Sequence, residues 1–75
     1  MGKKRIKIVE IFDKNGYHHV RLSSGSYEMI YRAARGVYWD EETSSLYFKG
    51  VVSREKALGF IAEALRNEYY IDLEL

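Results

Sequence analysis

Residues 53–75 read SREKALGFIAEALRNEYYIDLEL, and the spacing of apolar residues changes partway along this stretch. Ala57, Leu58, Ile61, Ala64 and Leu65 recur every three or four positions, with Phe60 at the margin. That period predicts an amphipathic helix over about residues 54–67. Ser53 stands where a helix cap is needed, because its hydroxyl can accept from an otherwise unpaired backbone N–H. Gly59 should cost about 1 kcal/mol relative to alanine inside this helix, and close packing would explain its presence. From Tyr69 the period drops to two. Tyr69, Ile71, Leu73 and Leu75 alternate with Tyr70, Asp72 and Glu74, which predicts a strand with the first set facing inward.

Working back toward the N-terminus, Val37-Tyr38-Trp39 and Leu46-Tyr47-Phe48-Lys49 alternate like paired strands joined by the polar loop 40–45. Further upstream, residues 5–12 and 17–23 form a second candidate hairpin. Asn15-Gly16 between them tolerates the positive φ that a tight type I′ turn demands. This pairing expects Val9 and Ile11 to share a face with Val20 and Leu22. Ile8, Glu10, Phe12, His19 and Arg21 would share the other, with Glu10 and Arg21 close enough to pair. Between the hairpins, Tyr27, Ile30, Tyr31 and Ala34 fall at helical spacing. A first helix over Tyr27–Arg35 is therefore expected, capped by Ser26, braced by Glu28 and Arg32 four apart, and stopped by Gly36. The resulting expectation is an α+β domain spanning residues 1–75, in the order ββαββαβ. Its sheet would be mainly antiparallel, with one long helix packed on it.

Seventy-five residues support one modest core and leave little room for a deep pocket beside it. There is no cysteine, so disulfides and thiolate zinc sites are excluded. The apolar runs are too short to cross a membrane as a helix, and the basic start Lys3-Lys4-Arg5 is followed by no apolar signal core. A cytoplasmic protein without a cofactor is the expectation. The net charge of +1 is unevenly spread. Residues 1–35 carry eight basic side chains against three acidic ones, and residues 36–75 carry four against eight. Such a chain can engage a polyanion with one half, or another copy of itself.

The chemistry-bearing residues form no motif of known spacing. His18 and His19 are neighbours in a strand and should point to opposite faces, which suits structural roles better than a shared metal. Asp40-Glu41-Glu42, with Asp72 and Glu74, could gather around a hard cation, but the spacing lacks a calcium loop's alternating ligands and reads as a solvated turn. Ser23-Ser24-Gly25-Ser26 ahead of a helix resembles a small anion cradle, with Arg32 and Arg35 near it, although capping alone explains those serines. No serine, histidine and carboxylate are brought together by spacing, so an enzyme is not expected. A polar cleft holding His18 or His19 beside a serine and a carboxylate would argue the other way. Eleven aromatic residues, seven of them tyrosine, are the unusual feature. Tyr17, His19 and Arg21 can share one strand face, and Tyr38, Tyr47 and Lys49 another, in the manner of sheets that hold single-stranded nucleic acid. A small core also needs large side chains, and tyrosine supplies them.

Arg35-Gly36-Val37-Tyr38-Trp39-Asp40, the strand Leu46-Tyr47-Phe48-Lys49 and the helix from Ser53 to Arg66 are similar to part of the three-stranded DNA-binding domains of plant ethylene-response factors and of phage integrase arms. The similarity covers less than half of the chain. It departs where those domains place a third strand, between Phe48 and Ser53, and in its scarcity of basic residues on the strands. It implies some leaning toward nucleic acid and transfers no residue roles. The leading expectation is a nucleic-acid-binding module that contacts phosphates through Lys4, Arg5, Lys7, Arg21, Arg32 and Arg35. The alternative is a protein-interaction module, an inhibitor, adaptor or homodimer, that uses an edge strand and tyrosine or tryptophan anchors.

Overall fold

The tight turn at Asn15-Gly16 sets the register of the whole N-terminal half. Both residues have positive φ, 54° and 84°, as a type I′ turn requires. They join β1 (Lys4–Lys14) to β2 (Tyr17–Leu22), and Lys14 lies opposite Tyr17. The structure is a computed structural model that describes residues 4–33 and 35–74. Lys3, Ala34 and Leu75, to which the sequence reading gave roles, lie outside the described residues.

Five strands form one mixed sheet in the order β3-β4-β2-β1-β5. β3 (Val37–Asp40) and β4 (Ser45–Phe48) make the second hairpin, and β4 pairs antiparallel with β2. The third strand beside this hairpin therefore comes from upstream, through β2. Gly36, at φ 91°, turns the chain into β3. A Cβ at Gly36 would sit 2.9 Å from the Phe48 ring, so space and backbone both demand glycine there. α1 (Arg54–Tyr69) then crosses the sheet, and β5 (Ile71–Glu74) pairs parallel with β1. Three of the four pairings are antiparallel, as expected, and this last one makes the sheet mixed. A helical crossover returns the chain in the direction in which β4 left it, and β1 runs the same way.

Alternation puts Ile6, Ile8, Ile11, Val20, Leu22, Val37, Leu46 and Ile71 on the face that meets α1. Ala57, Ile61, Ala64 and Leu65 supply the helix side of that core. Ile30, Leu46, Ile61 and Leu65 are completely buried, each contributing roughly 1.5–3 kcal/mol. Ser53 caps α1 by accepting from the Lys56 N–H at 3.2 Å. Phe60 lies at the helix margin, where its ring stacks on Phe48 with centroids 4.4 Å apart.

Several local expectations change. The first helix is only a single 3-10 turn, Ile30–Arg32, with no side-chain cap. Six of the nine residues 27–35 are good helix formers, but nine residues are too few to hold a helix by propensity alone. Tertiary anchors hold the segment instead: Tyr27 and Ile30 are buried, the Tyr27 hydroxyl donates to the Ser24 carbonyl, and the Met29 N–H donates to the Tyr69 hydroxyl. Tyr31 is exposed, and Arg32 lies 3.8 Å from Glu68 in place of the expected pair with Glu28. With no helix behind it, the serine cradle has no helix dipole to offer an anion. Val9 points outward, 58% exposed, because a bulge between Ile8 and Glu10 inserts one residue and shifts the inward set to Ile8 and Ile11. α1 runs on to Tyr69, so that side chain reaches the core from a helix. Tyr70 takes the left-handed cap conformation at φ 56°. Gly59 faces open space rather than a close neighbour.

Candidate functional site

α1 and the 3-10 turn both pack on one face of the sheet, and among the described residues no element covers the other. Across the uncovered face, Tyr38 of β3, Tyr47 of β4, His19 of β2 and Phe12 of β1 are successive cross-strand partners. Their rings form a ladder. Tyr38 and Tyr47 are 5.9 Å apart, Tyr47 and His19 4.6 Å, and His19 and Phe12 5.2 Å, with interplanar angles of 17–38°. Tyr17 joins the stack at 5.9 Å from Tyr47, and the Arg21 guanidinium lies 5.2 Å from the centre of the Phe12 ring. Side chains directly opposite in adjacent strands stand within reach of one another, so this row follows from register alone.

The row stacks on itself. Ring faces meet ring faces within it, so its outer surface consists of ring edges and tyrosine hydroxyls. A nucleobase needs an open ring face, and among the described residues only the end rings of the stack, such as Tyr38, have a ring neighbour on one side alone.

Beneath the ladder runs a polar chain. His19 is 2% exposed and its Nδ1 lies 2.8 Å from Ser45 Oγ, which is itself fully buried. Ser45 Oγ is 2.6 Å from Thr43 Oγ1, and Thr43 donates to Asp40 Oδ2 at 2.7 Å. Lys14 Nζ donates to the same Asp40 oxygen at 2.8 Å and also to Glu42. The Lys14 hydrogen bond, with help from Thr43, holds the Asp40 carboxyl below its ordinary range. Asp40 and Glu42 in turn raise the Lys14 ammonium. Burial pushes His19 down, partly opposed by Asp40, so the neutral ring is favoured.

A cavity of about 110 Å³ opens here between Lys14, Asn15, Tyr17, His19, Asp40 and Tyr47. It brings a histidine near a serine and a carboxylate, the constellation that would argue for catalysis. The order is not that of a nucleophile, base and orienter. Ser45 Oγ and Asp40 Oδ2, the latter at 3.8 Å, both approach the same ring nitrogen, Nδ1. Ser45 has no exposed surface for a substrate to reach. His18 is the cross-strand partner of Asp13, on the opposite face, and its Nδ1 lies 2.7 Å from Asp13 Oδ1.

The six proposed phosphate contacts do not all share a face. Arg5 and Lys7 lie on the open face, opposite Asp72 and Glu74 of β5. Arg21 is also there, paired with Glu10 and donating to the Thr43 carbonyl at 3.1 Å. Lys4 points to the helix side at the end of β1, while Arg32 and Arg35 belong to the segment that precedes β3. The carboxylates of the imagined cation site are separated too, Asp40 and Asp72 being on opposite edge strands. A shallow depression of about 410 Å³ along β5 is lined by Arg5, Arg66, Asp72, Leu73 and Glu74, with Arg66 and Asp72 at 3.5 Å. Trp39 faces the helix side, where its ring meets Tyr27 edge-on, so it is no surface anchor. Lys49 lies beyond the end of β4.

Alternation alone puts Phe12, His19 and Arg21 on one face. The contribution of Ser45, Thr43 and Lys14 depends on the β2–β4 pairing, which no local sequence signal announces. Among the described residues no helix is long and apolar enough to cross a membrane. No family model, no curated protein and no solved structure matches this chain.

Proposed function

We propose that the protein is a non-catalytic interaction module whose contact surface for a protein partner is the open face of the sheet with its adjoining edge. The observation that carries this reading is the uncovered row Tyr38–Tyr47–His19–Phe12, bordered by charges that already have partners. Tyrosine-rich surfaces anchor protein contacts through large rings and a hydroxyl that tolerates either water or a partner. Lys14 is neutralised by Asp40 and Glu42, and Arg21 by Glu10, so the part of the face around the aromatic row offers a polyanion little net attraction. That part can be covered by a protein surface without stranding Lys14 or Arg21.

Nucleic acid is the second reading. It is favoured by Lys4, Arg5 and Lys7, close together in β1, and by the tyrosine hydroxyls of the open face. One experiment separates the two: incubation of labelled single- and double-stranded DNA and RNA with excess protein at about 50 mM salt. The protein-partner reading expects no retarded species there. It also expects that capture from the native cell yields a partner that survives nuclease and is lost from a Tyr38→Ala variant. A retarded complex that weakens steeply with salt would replace it with the nucleic-acid reading.

A further inference from the structure

The two edges of the sheet differ in what they would meet. At one edge, β5 has four residues, and two of them, Asp72 and Glu74, are acidic and share a face. Pairing β5 with another copy of itself about a two-fold axis would set these carboxylates against each other, which is unfavourable. At the other edge β3 reads Val37-Tyr38-Trp39-Asp40, with no lysine, proline or bulge to discourage pairing. Its single charge, Asp40, is already held by Lys14.

The free hydrogen-bonding groups of β3 can be assigned. The Lys49 N–H donates to the Gly36 carbonyl at 2.6 Å, so Gly36 turns its polar groups toward β4. In an antiparallel ladder this orientation alternates. Tyr38 and Asp40 therefore also face β4, and the N–H and C=O of Val37 and Trp39 point away from the sheet. Among the described residues no backbone hydrogen bond from the surrounding loops reaches Val37 or Trp39.

We infer that the partner of this edge is a second copy of the chain, with β3 pairing antiparallel to its counterpart about a two-fold axis through Tyr38. The inference rests on the interaction-module reading above and gives it an occupant. Only one kind of register satisfies the free groups of both copies: Val37 of each exchanges hydrogen bonds with Trp39 of the other. Tyr38 then falls opposite its own counterpart at a non-hydrogen-bonded position, where side chains approach most closely. Both Tyr38 rings lie on the open face, each with its free side toward the axis. The aromatic ladder would run without a break from Phe12 of one copy to Phe12 of the other, across eight strands.

Charge complementarity points to the same register. Arg35 and Glu41 lie three residues to either side of Tyr38, so the axis brings Arg35 of each copy toward Glu41 of the other. Both side chains are exposed, and neither has an ion-pair partner within the chain among the described residues. Two equivalent ion pairs would close the ends of the interface. They also oppose a parallel pairing or a one-residue slip.

The absence of cysteine makes the register directly testable. Across a non-hydrogen-bonded antiparallel pair the Cα atoms are about 4.5 Å apart, within the disulfide range. The Tyr38→Cys variant should form a covalent dimer under mild oxidation, and Asp72→Cys, on the other edge, should not. Sedimentation of the unmodified protein should show its mass doubling as concentration rises. Glu41→Arg and Arg35→Glu should each weaken association about tenfold, and the double reversal should restore it. A strict monomer up to millimolar concentration would overturn the second-copy inference and leave a different protein partner standing. Cross-linking through Asp72→Cys, or charge reversals without mutual rescue, would overturn the β3 register even if a dimer forms. A nucleic-acid complex in the retardation experiment, with no dimer, would defeat the underlying reading as well.

Discussion

The two faces of the sheet are built from the same alternating strands and end in opposite conditions. On the helix side, Leu46, Val37 and Val20 meet Ile61 and Leu65, and apolar area is removed from water with no geometric demand beyond packing. On the open side, the intervening residues of the same strands, Tyr47, Tyr38 and His19, have no layer above them and pack sideways on one another. The first face therefore carries the fold, and the second is the one we propose for a partner. Among the described residues one α-helix covers one face, and an uncovered face tolerates large aromatics only if they shield each other or await a partner.

The sharpest way to break this comparison is to truncate one residue on each side. Leu65→Ala should lower the unfolding free energy by about 2–5 kcal/mol in a urea titration, since Leu65 is fully buried and leaves a cavity. Tyr38→Ala, on the open face, should cost no more than about 1 kcal/mol. Equal losses would mean that the open face carries as much of the fold as the covered one. An intermediate case is Ser45→Ala. It removes the partner of His19 Nδ1 inside a buried chain and should cost about 1–3 kcal/mol in the same measurement. A null effect would show that the polar chain under the ladder is incidental.

Gly59→Ala sharpens the helix side. A Cβ there meets nothing within 4 Å and Gly59 is exposed, so the change should raise the urea midpoint by an amount worth about 1 kcal/mol. Destabilisation would indicate a neighbour over that part of α1.

The smallest expected effect is one of pH. Burial holds the folded His19 below its ordinary value of 6.5, with Asp40 opposing and Lys14 reinforcing the shift. Between the folded and unfolded values the unfolded chain binds more protons, so stability is whole above 6.5 and declines as the pH falls below it. Asp40 stays ionised in this window, because its carboxyl is held below its ordinary 3.8. Urea midpoints in neutral buffer and at about pH 5.5 should differ in that direction, and His19→Gln should reduce the difference. A decline that His19→Gln leaves unchanged would place the titrating group elsewhere.

The parts of this structure that were legible in the sequence are those set by local periodicity. The stripe Ala57–Leu65, the cap at Ser53, the turn at Asn15-Gly16 and the alternation at Val37–Trp39 all carry their reason within a few residues. The misreadings have nonlocal causes. Tyr27, Ile30 and Tyr31 have helical spacing, but Tyr27 and Ile30 are held by contacts to Trp39, Tyr69 and the core rather than by a helix. The bulge at Val9 falls just past the stretch of β1 that pairs with β5, and nothing in Ile8-Val9-Glu10 marks it. The direction of β5 depends on where α1 delivers the chain. For the candidate site, the sequence placed Tyr17, His19 and Arg21 on one face and Tyr38 and Tyr47 on another, and the pairing of β2 with β4 merged them. The six basic residues proposed as contacts were chosen by charge alone, and charge does not reveal that Arg21 meets Glu10 or that Arg32 approaches Glu68.

Backbone amide exchange at residue resolution over a range of protein concentrations distinguishes the two edges of the sheet. If the fold is complete on one side and the β3 edge is left for a second copy, protection at Val37 and Trp39 should grow as concentration rises. Amides of β5 and of the solvent side of α1 should not change. Equal exchange at Val37 and Trp39 at every concentration, or growing protection along β5 instead, would contradict pairing through β3.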